Sequence, residues 1–170
     1  EDNLKVTIFP GKELNPQEIL IPNDISSAAF FMVAASIIPG AEVLIKNVGI
    51  NETRAGIIEV LTKMGANIKK ENEATVSGEL VADLLIKGSS LNSVIIEGDI
   101  IPRLIDEIPV LAVAMAVAHG TSVVKDASEL RVKETDRIKA MCSELSKMGV
   151  SITETEDGFV IEGDYDAIKG

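Results

Sequence analysis

Five of the seven residues in the run Arg131-Val132-Lys133-Glu134-Thr135-Asp136-Arg137 are charged. The run predicts a helix that begins near Lys133, with Lys133, Glu134 and Arg137 clustered on its first turns. Cations at a helix N-terminus oppose the helix dipole, and a bound phosphate or carboxylate would remove that conflict. An arginine can bind such an anion with two parallel hydrogen bonds. The run is therefore either an anion-binding site or a solvated helix start whose ion pairs, such as Lys133 with Asp136, contribute little energy.

A second group of charges, in Asp106-Glu107-Ile108-Pro109, precedes a long apolar run. Pro109 fits the first turn of a helix, where its missing N–H would have no partner in any case. One interpretation is that Asp106 or Glu107 caps this helix and complements its dipole. The other is that Asp106 lies at the mouth of an apolar core, where burial raises the proton affinity of a carboxylate enough for base catalysis.

Two further residues have simpler interpretations. Cys142 is the single cysteine, so no internal disulfide can form, and it is interpreted as a small buried residue of a helix. His119 is the single histidine and precedes Gly120 at a predicted helix end, where a histidine commonly meets the last carbonyls. Neither is predicted to be a metal ligand or a base.

The composition fits one globular domain. The chain has 170 residues, 46% of them apolar, and a formal net charge of −11. An acidic surface argues against non-specific nucleic-acid binding, although a few local cations can still hold a small anion. No apolar run reaches the roughly 18 residues of a membrane span, and the N-terminus does not resemble a signal peptide. We therefore expect no nucleic-acid or membrane partner and a cytoplasmic location.

Two copies of one structural unit are predicted to position these charges. Gly40 and Gly120 each follow an apolar helix and open a strand, and Lys63-Met64-Gly65 is matched by Lys147-Met148-Gly149. Each unit has the order strand, helix, strand, helix, strand, strand. The periodicity predicts strands near 18–22, 41–48, 66–72 and 82–87 with helices near 25–38 and 52–64, and then strands near 93–98, 121–126, 150–155 and 158–162 with helices near 104–118 and 133–148.

The two units differ in the turn between the second strand and the second helix. From Gly40 to Gly65 is 25 positions and from Gly120 to Gly149 is 29, so the second unit has four additional residues. They fall around 129–134, at a strand-to-helix turn, where function is often added to a scaffold.

The helix patterns predict an α/β fold with buried helices and outer sheets. The first helix of each unit is apolar all round in 26–35 and 108–117, and is therefore expected to be buried on all sides. The second helices are amphipathic, and the strands alternate with one face toward solvent. A doubly wound fold is the opposite, with the sheet in the middle. We expect a single partial domain with a leading strand (Leu4–Phe9) and linker in 1–16, repeats in 17–90 and 91–164, and a truncated tail in 165–170.

Several motifs resemble those of the EPSP synthase family (3-phosphoshikimate 1-carboxyvinyltransferases). The run Leu130–Arg137 is the most specific of them, and its Lys133 follows Asp106 by 27 residues. The segments 23–30, 64–66 and 102–105 also match, so the resemblance covers nearly the whole chain. It implies the family's enolpyruvate transferase-like fold, an inverse α/β barrel or prism in which each domain has three strand-helix repeats around buried parallel helices.

The resemblance also implies an activity and a role for each charge. The family transfers the enolpyruvyl group of phosphoenolpyruvate to the 5-hydroxyl of shikimate 3-phosphate in aromatic amino-acid biosynthesis, without a metal or cofactor, and is the target of glyphosate. Asp106 would contact shikimate 3-phosphate and accept the hydroxyl proton, and Lys133 would contact the 3-phosphate side. Glu134 would move a proton to and from the methylene carbon, and Arg137 would bind phosphoenolpyruvate beside it. Glu129 falls where some members have a substrate-binding Asn, so its contact with substrate is an open question.

Other parts of the family pattern do not occur in this chain. The Lys-Ser pair with its following Arg, the Ser-Ala-Gln or Ser-Ser-Gln loop, the Asp-His-Arg segment and the C-terminal lysine have no counterpart here, and two of three repeats are present. We therefore expect a fragment that needs the remainder of its chain for activity. The alternatives are a fragment of UDP-N-acetylglucosamine enolpyruvyl transferase, an RNA 3′-terminal phosphate cyclase-like protein, and a non-catalytic repeat domain used for assembly.

Overall fold

The computed structural model describes residues 7–11, 13 and 15–168. The first half of the chain forms two helices and one sheet. This first unit contains α1 (Ile25–Ile37), β1 (Glu42–Gly49), α2 (Gly56–Lys63), β2 (Asn67–Val76) and β3 (Glu79–Lys87). Its sheet has the order β1-β3-β2, and both pairings are antiparallel.

The second unit repeats this arrangement with one more strand. It contains β4 (Ile95–Ile96), α3 (Ile108–Val117), β5 (Gly120–Val124), α4 (Arg137–Lys147), β6 (Ser151–Glu154) and β7 (Phe159–Gly163), with 3₁₀ turns at Gly98–Arg103, Ser128–Arg131 and Tyr165–Ala167. The sheet order is β4-β5-β7-β6, in which β4 is parallel to β5 and the other pairs are antiparallel. The order β5-β7-β6 matches β1-β3-β2, which confirms the predicted repetition from the first helix of each unit onward.

The predicted strand at 18–22 is wrong. In its place a single parallel bridge joins Asn23 to Val48, and the equivalent strand of the second unit, β4, is shorter than the predicted 93–98. The apolar run that suggested a strand has its isoleucine and leucine side chains exposed at 19–21, so no core stabilises an extended conformation there. Of the predicted leading strand Leu4–Phe9, residues 4–6 lie outside the described part, and residues 7–9 form no regular structure.

Three helices begin four residues later than predicted, α2 at Gly56, α3 at Ile108 and α4 at Arg137. Before α2 the side chain of Asn51 accepts the backbone N–H of Thr53 at 3.0 Å, which closes a turn instead of a helix. Before α4 the chain bends through 132–135, and the helix starts only where Asp136 can cap it. Local side-chain hydrogen bonds of this kind compete with helix formation.

The core lies between the two apolar helices and the inner faces of both sheets. Met32 of α1 and Leu111 and Met115 of α3 are fully buried there, and β2 turns much of its side-chain surface to solvent. The expectation that α1 and α3 are buried on all sides is wrong for this chain. Two sheets cover two sides of the helix pair, and the third side leaves Phe30 65% exposed and Val113 39% exposed. This apolar face, made of Phe30, Phe31, Ala34, Ile37 and Val113, includes a shallow groove of about 330 Å³.

Candidate active site

The four residues that the sequence singled out lie in one cluster at the N-terminal ends of α3 and α4. Arg137 Nη1 is 3.1 Å from Asp106 Oδ1, and Arg137 Nη2 donates to Glu134 Oε2 at 2.7 Å. Lys133 Nζ lies 3.8 Å from the same Asp106 oxygen and 3.1 Å from Glu129 Oε1. One carboxylate therefore faces two cations from another segment, and each cation has a second acidic partner.

The segment that carries these charges is a bent approach to the helix and not its first turn. Arg137 is the first residue of α4, and Asp136 is the N-cap, whose carboxylate accepts the Lys139 N–H at 3.0 Å. The predicted helix start at Lys133 is therefore wrong, and so is the predicted pairing of Lys133 with Asp136. Asp136 is paired instead with Arg131, at 2.9 Å. The bend brings Lys133 and Glu134 to the cluster all the same.

Arg131 fastens this segment to the hairpin between β6 and β7. Its Nη1 donates to Asp136 Oδ2 and to Glu154 Oε1, both at 2.9 Å. Its Nε and Nη2 donate to the backbone carbonyls of Glu156 and Thr155, at 2.7 and 2.5 Å. These contacts raise the pKa of Arg131 above its usual value, chiefly through Glu154. All three guanidinium nitrogens are engaged, so this arginine holds the loop while Arg137 faces the cluster.

The cluster presents sheltered cations behind carboxylates that are open to solvent. The side chains of Lys133 and Arg137 are 23% and 24% exposed, whereas those of Asp106 and Glu134 are 44% and 80% exposed. The pKa of Glu134 is below its ordinary value, first because its own backbone N–H donates to it and then because of Arg137. An incoming anion can replace these exposed carboxylates and bind the same two cations.

The buried carboxylate at the start of α3 is Glu107, the residue next to Asp106. Glu107 is 2% exposed, and its Oε1 accepts the Ser26 hydroxyl from the first turn of α1. Arg54 Nη2 in turn donates to Ser26 Oγ at 3.1 Å. Burial raises the pKa of Glu107, and Ser26 and Arg54 oppose that shift. The buried carboxylate is therefore Glu107, and the expected burial of Asp106 is not observed. Glu107 occupies the N-cap position of α3, but its side chain makes no capping hydrogen bond.

No sequence pattern pointed to the partners of Arg131 and Glu107. Arg131 stood out only as one more charge in its run, and three of its four acceptors lie 23 to 25 residues further on. Ser26 falls in one of the motif segments, but its contact with Glu107 spans 81 residues and arises from the packing of α1 on α3.

Cys142 and His119 lie apart from the cluster. Cys142 is buried on α4, and burial raises the pKa of its thiol, as expected of a small core residue. The backbone of His119 bonds to the backbone of Leu91 and Ser93. Its side chain lines a cavity of about 580 Å³ near the other ends of α1 and α3.

Two kinds of feature are missing from the described residues. Within residues 7–11, 13 and 15–168, no three His, Cys, Asp or Glu side chains gather in a way that could hold a metal ion. Over the same part of the chain, no helix combines the length and apolar character needed to cross a membrane.

The fold and the sequence both have known relatives. The enolpyruvyl transferase NikO from Streptomyces tendae has the same fold, with a TM-score of 0.61 over 84% of this chain and 30% of that one, at 14% identity. An EPSP synthase structure from Acinetobacter baumannii superposes with a TM-score of 0.86 at 51% identity, over 90% of this chain and 35% of that one. The fold is thus that of the enolpyruvyl transferases.

The sequence comparisons identify the family. The family model of EPSP synthase (3-phosphoshikimate 1-carboxyvinyltransferase) matches residues 1–170. The 3-phosphoshikimate 1-carboxyvinyltransferase of Syntrophomonas wolfei is 63% identical over 169 residues, which are 99% of this chain and 40% of that protein. That of Geobacter sulfurreducens is 54% identical over 162 residues, 95% of this chain and 38% of that protein. The chain belongs to the EPSP synthase family, and it spans about 40% or less of the length of these relatives.

Proposed function

We propose that this chain forms part of an enzyme that transfers the enolpyruvyl group of phosphoenolpyruvate to the 5-hydroxyl of shikimate 3-phosphate and releases phosphate. The observation that carries the proposal is the shared contact of Arg137 and Lys133 with Asp106, at 3.1 and 3.8 Å. An exposed carboxylate can accept the proton of an alcohol, and two sheltered cations beside it can bind the anionic groups of the substrates. Membership of the EPSP synthase family supports the choice of substrates.

Each residue of the cluster has a role in an addition followed by an elimination. Asp106 accepts the proton of the 5-hydroxyl while the hydroxyl oxygen bonds to the central carbon of phosphoenolpyruvate. In the same addition Glu134 delivers a proton to the methylene carbon. Glu134 then removes a proton from that carbon as phosphate leaves and the double bond returns. Arg137 binds phosphoenolpyruvate and Lys133 binds the phosphate side of shikimate 3-phosphate. The reaction needs general acids and bases and cations, and calls for no metal or redox cofactor.

The ion pair of Glu134 with Arg137 suggests how substrate binding readies the acid. Within the cluster Arg137 helps to keep the pKa of Glu134 low, which favours the ionised carboxylate. Phosphoenolpyruvate bound to Arg137 would take over that hydrogen bond and bring a negative charge close by. Both changes raise the proton affinity of Glu134, so the substrate itself prepares the proton donor.

We also propose that the chain is a single partial domain, with repeats in 17–90 and 91–164, a preceding segment in 1–16 and a short tail in 165–170. The apolar face with Phe30 and Val113 is where the remainder of the protein would pack, since so much exposed apolar side chain is unfavourable in water. The isolated chain is then inactive. The single buried cysteine is in keeping with a cytoplasmic setting.

A coupled phosphate-release assay with both substrates tests this proposal. We expect no turnover from the isolated chain and full turnover from the complete protein that contains it. In the complete protein, Lys133→Ala and Arg137→Ala should each abolish most activity, whereas the control Lys147→Ala, at the far end of α4, should not. A non-catalytic repeat domain would tolerate all three changes. Turnover only with UDP-N-acetylglucosamine as acceptor would show the other enolpyruvyl transferase.

A further inference from the structure

The two central helices are connected at their N-terminal ends by one partly buried polar contact. Among the described residues Glu107 is the one buried carboxylate, and its partner Ser26 lies in the first turn of α1, in the other unit. Arg54, in the turn between β1 and α2, donates to the same serine. A chain of hydrogen bonds therefore runs from Arg54 through Ser26 to Glu107 and joins three separate segments.

A carboxylate in such a place is retained only if something compensates for its desolvation. Removing a carboxylate from water is costly unless the group is paired and hydrogen-bonded. An apolar residue would fill the same space on α3 at no such cost, since the neighbouring positions of this helix are apolar. The hydrogen bond from Ser26 to Glu107 therefore has a positioning effect. Because it is directional, it fixes the angle at which the turn before α3 meets α1.

Asp106 is the residue whose direction this contact fixes. The turn that leads into α3 is closed by hydrogen bonds from the N–H groups of Glu107 and Ile108 to the carbonyl of Leu104. Within that turn Glu107 points inward to Ser26, and Asp106 points outward to Arg137, 3.1 Å away. If the inward side chain is released, the turn can rotate, and the outward carboxylate moves with it.

We propose that Glu107 is a positioning residue, which holds Asp106 against Arg137 and Lys133 by accepting the Ser26 hydroxyl across the α1–α3 interface. The inference rests on the proposed role of Asp106 in the transfer reaction. It gives the first unit a part in a site whose charged side chains all belong to the second unit. Glu107 does not touch substrate in this scheme and acts only through its neighbour.

The test uses the complete protein that contains this chain, with kcat and both KM values from the phosphate-release assay. Glu107→Ala and Ser26→Ala should each lower kcat by about tenfold to a hundredfold, the loss expected when a reacting group is displaced by about 1 Å. Both KM values should change much less. Glu107→Gln and Ser26→Thr keep an oxygen acceptor and a hydroxyl respectively, so they should recover most of kcat. The double variant Ser26→Ala, Glu107→Ala should be no slower than either single variant, because both remove one interaction.

Two controls separate positioning from stability. Ser27→Ala removes the hydroxyl of the next residue, which bonds to Asp24 on the outer side of α1, and Glu144→Gln removes an exposed carboxylate on α4. Both should keep kcat within about twofold, a difference that corresponds to well under 1.4 kcal/mol.

A purely structural role would lower the melting temperature of Glu107→Ala and leave kcat of the folded enzyme unchanged, and that result would overturn the proposal. If Glu107→Ala does not fold, the contrast between Ser26→Ala and Ser26→Thr decides in the same way. An inactive wild-type protein would instead refute the proposed function.

Discussion

The guanidinium of Arg137 joins the approaches to two helices. Its Nη1 lies 3.1 Å from Asp106, which precedes α3, and its Nη2 lies 2.7 Å from Glu134, which precedes α4. The same planar group thus contacts the proposed base and the proposed acid. A change at this one position is expected to affect the binding of an anion and the arrangement of both carboxylates.

Replacement of Arg137 by alanine should weaken phosphoenolpyruvate binding in the complete enzyme. A hydrogen bond to a charged group contributes about 1.5–3 kcal/mol, which corresponds to roughly a tenfold to hundredfold rise in KM for phosphoenolpyruvate. Arg137→Lys should be intermediate, because a lysine keeps the charge and loses the two-pronged geometry. Steady-state kinetics with each substrate varied in turn measures this, with Lys147→Ala as the control. An unchanged KM for phosphoenolpyruvate in Arg137→Ala would rule out its assigned role.

Glu134 should make the folded chain sensitive to acid. Its pKa is lowered below the ordinary 4.5 in the folded state, so the folded form holds its proton less tightly than the unfolded form does. The stabilisation is therefore complete above about pH 4.5 and is lost as the pH falls through the folded pKa. Urea unfolding across this range should show a smaller loss for Glu134→Gln than for the wild type. The same curve for Glu134→Gln and for the exposed control Glu73→Gln would contradict the prediction.

Arg131 should be indispensable to the loop that carries Lys133 and Glu134. Arg131→Ala removes three hydrogen bonds to the β6–β7 hairpin and a fourth to Asp136, which together hold 132–136 in place. Hydrogen exchange at 132–140 should become faster, and the melting temperature should fall. Arg131→Lys should not restore protection, since a single ammonium cannot reach all of these acceptors at once. Lys125→Ala, which breaks an exposed pair with Glu97, is the matched control and should leave exchange at 132–140 unaltered.

The apolar face should behave differently in the isolated chain and in the complete protein. Phe30→Ala should change the stability of the isolated chain by no more than about 0.5 kcal/mol, because the ring is already 65% exposed, and should reduce self-association. In the complete protein the same change should cost about 3–5 kcal/mol if the remainder buries this ring. Chemical unfolding of both forms and light scattering of the isolated chain provide the measurements. Equal small effects in both would show that this face stays open.

Periodicity predicted the elements well, because an apolar stripe on a helix or strand is a local property. It failed where an element depends on a partner. The strand at 18–22 lacks a neighbour that would make it regular, and the apolar helices look buried all round although one side of the pair is open. The start of α4 at Arg137 was also missed, since any charged, helix-favouring run looks like a helix until the cap at Asp136 is known.

The charged cluster itself was predictable only in part. Spacing placed Lys133 and Arg137 together, the start of an apolar helix made Asp106 a candidate base, and the family resemblance brought them into one site. Which of Asp106 and Glu107 is buried depends on the rotation of the α3 turn, and packing against α1 fixes that rotation. The separate tasks of Arg131 and Arg137 depend on a hairpin more than 20 residues away, and no local pattern records it.

The way Arg131 holds the β6–β7 hairpin bears on how this loop can vary. Two of its four acceptors are the backbone carbonyls of Thr155 and Glu156, which every residue type possesses. A change of side chain at 155 or 156 therefore leaves these two hydrogen bonds in place, and the buried Thr155 hydroxyl has no hydrogen-bond partner among the described residues. Asp136 and Glu154 have no such freedom, because there the acceptor is the side chain itself.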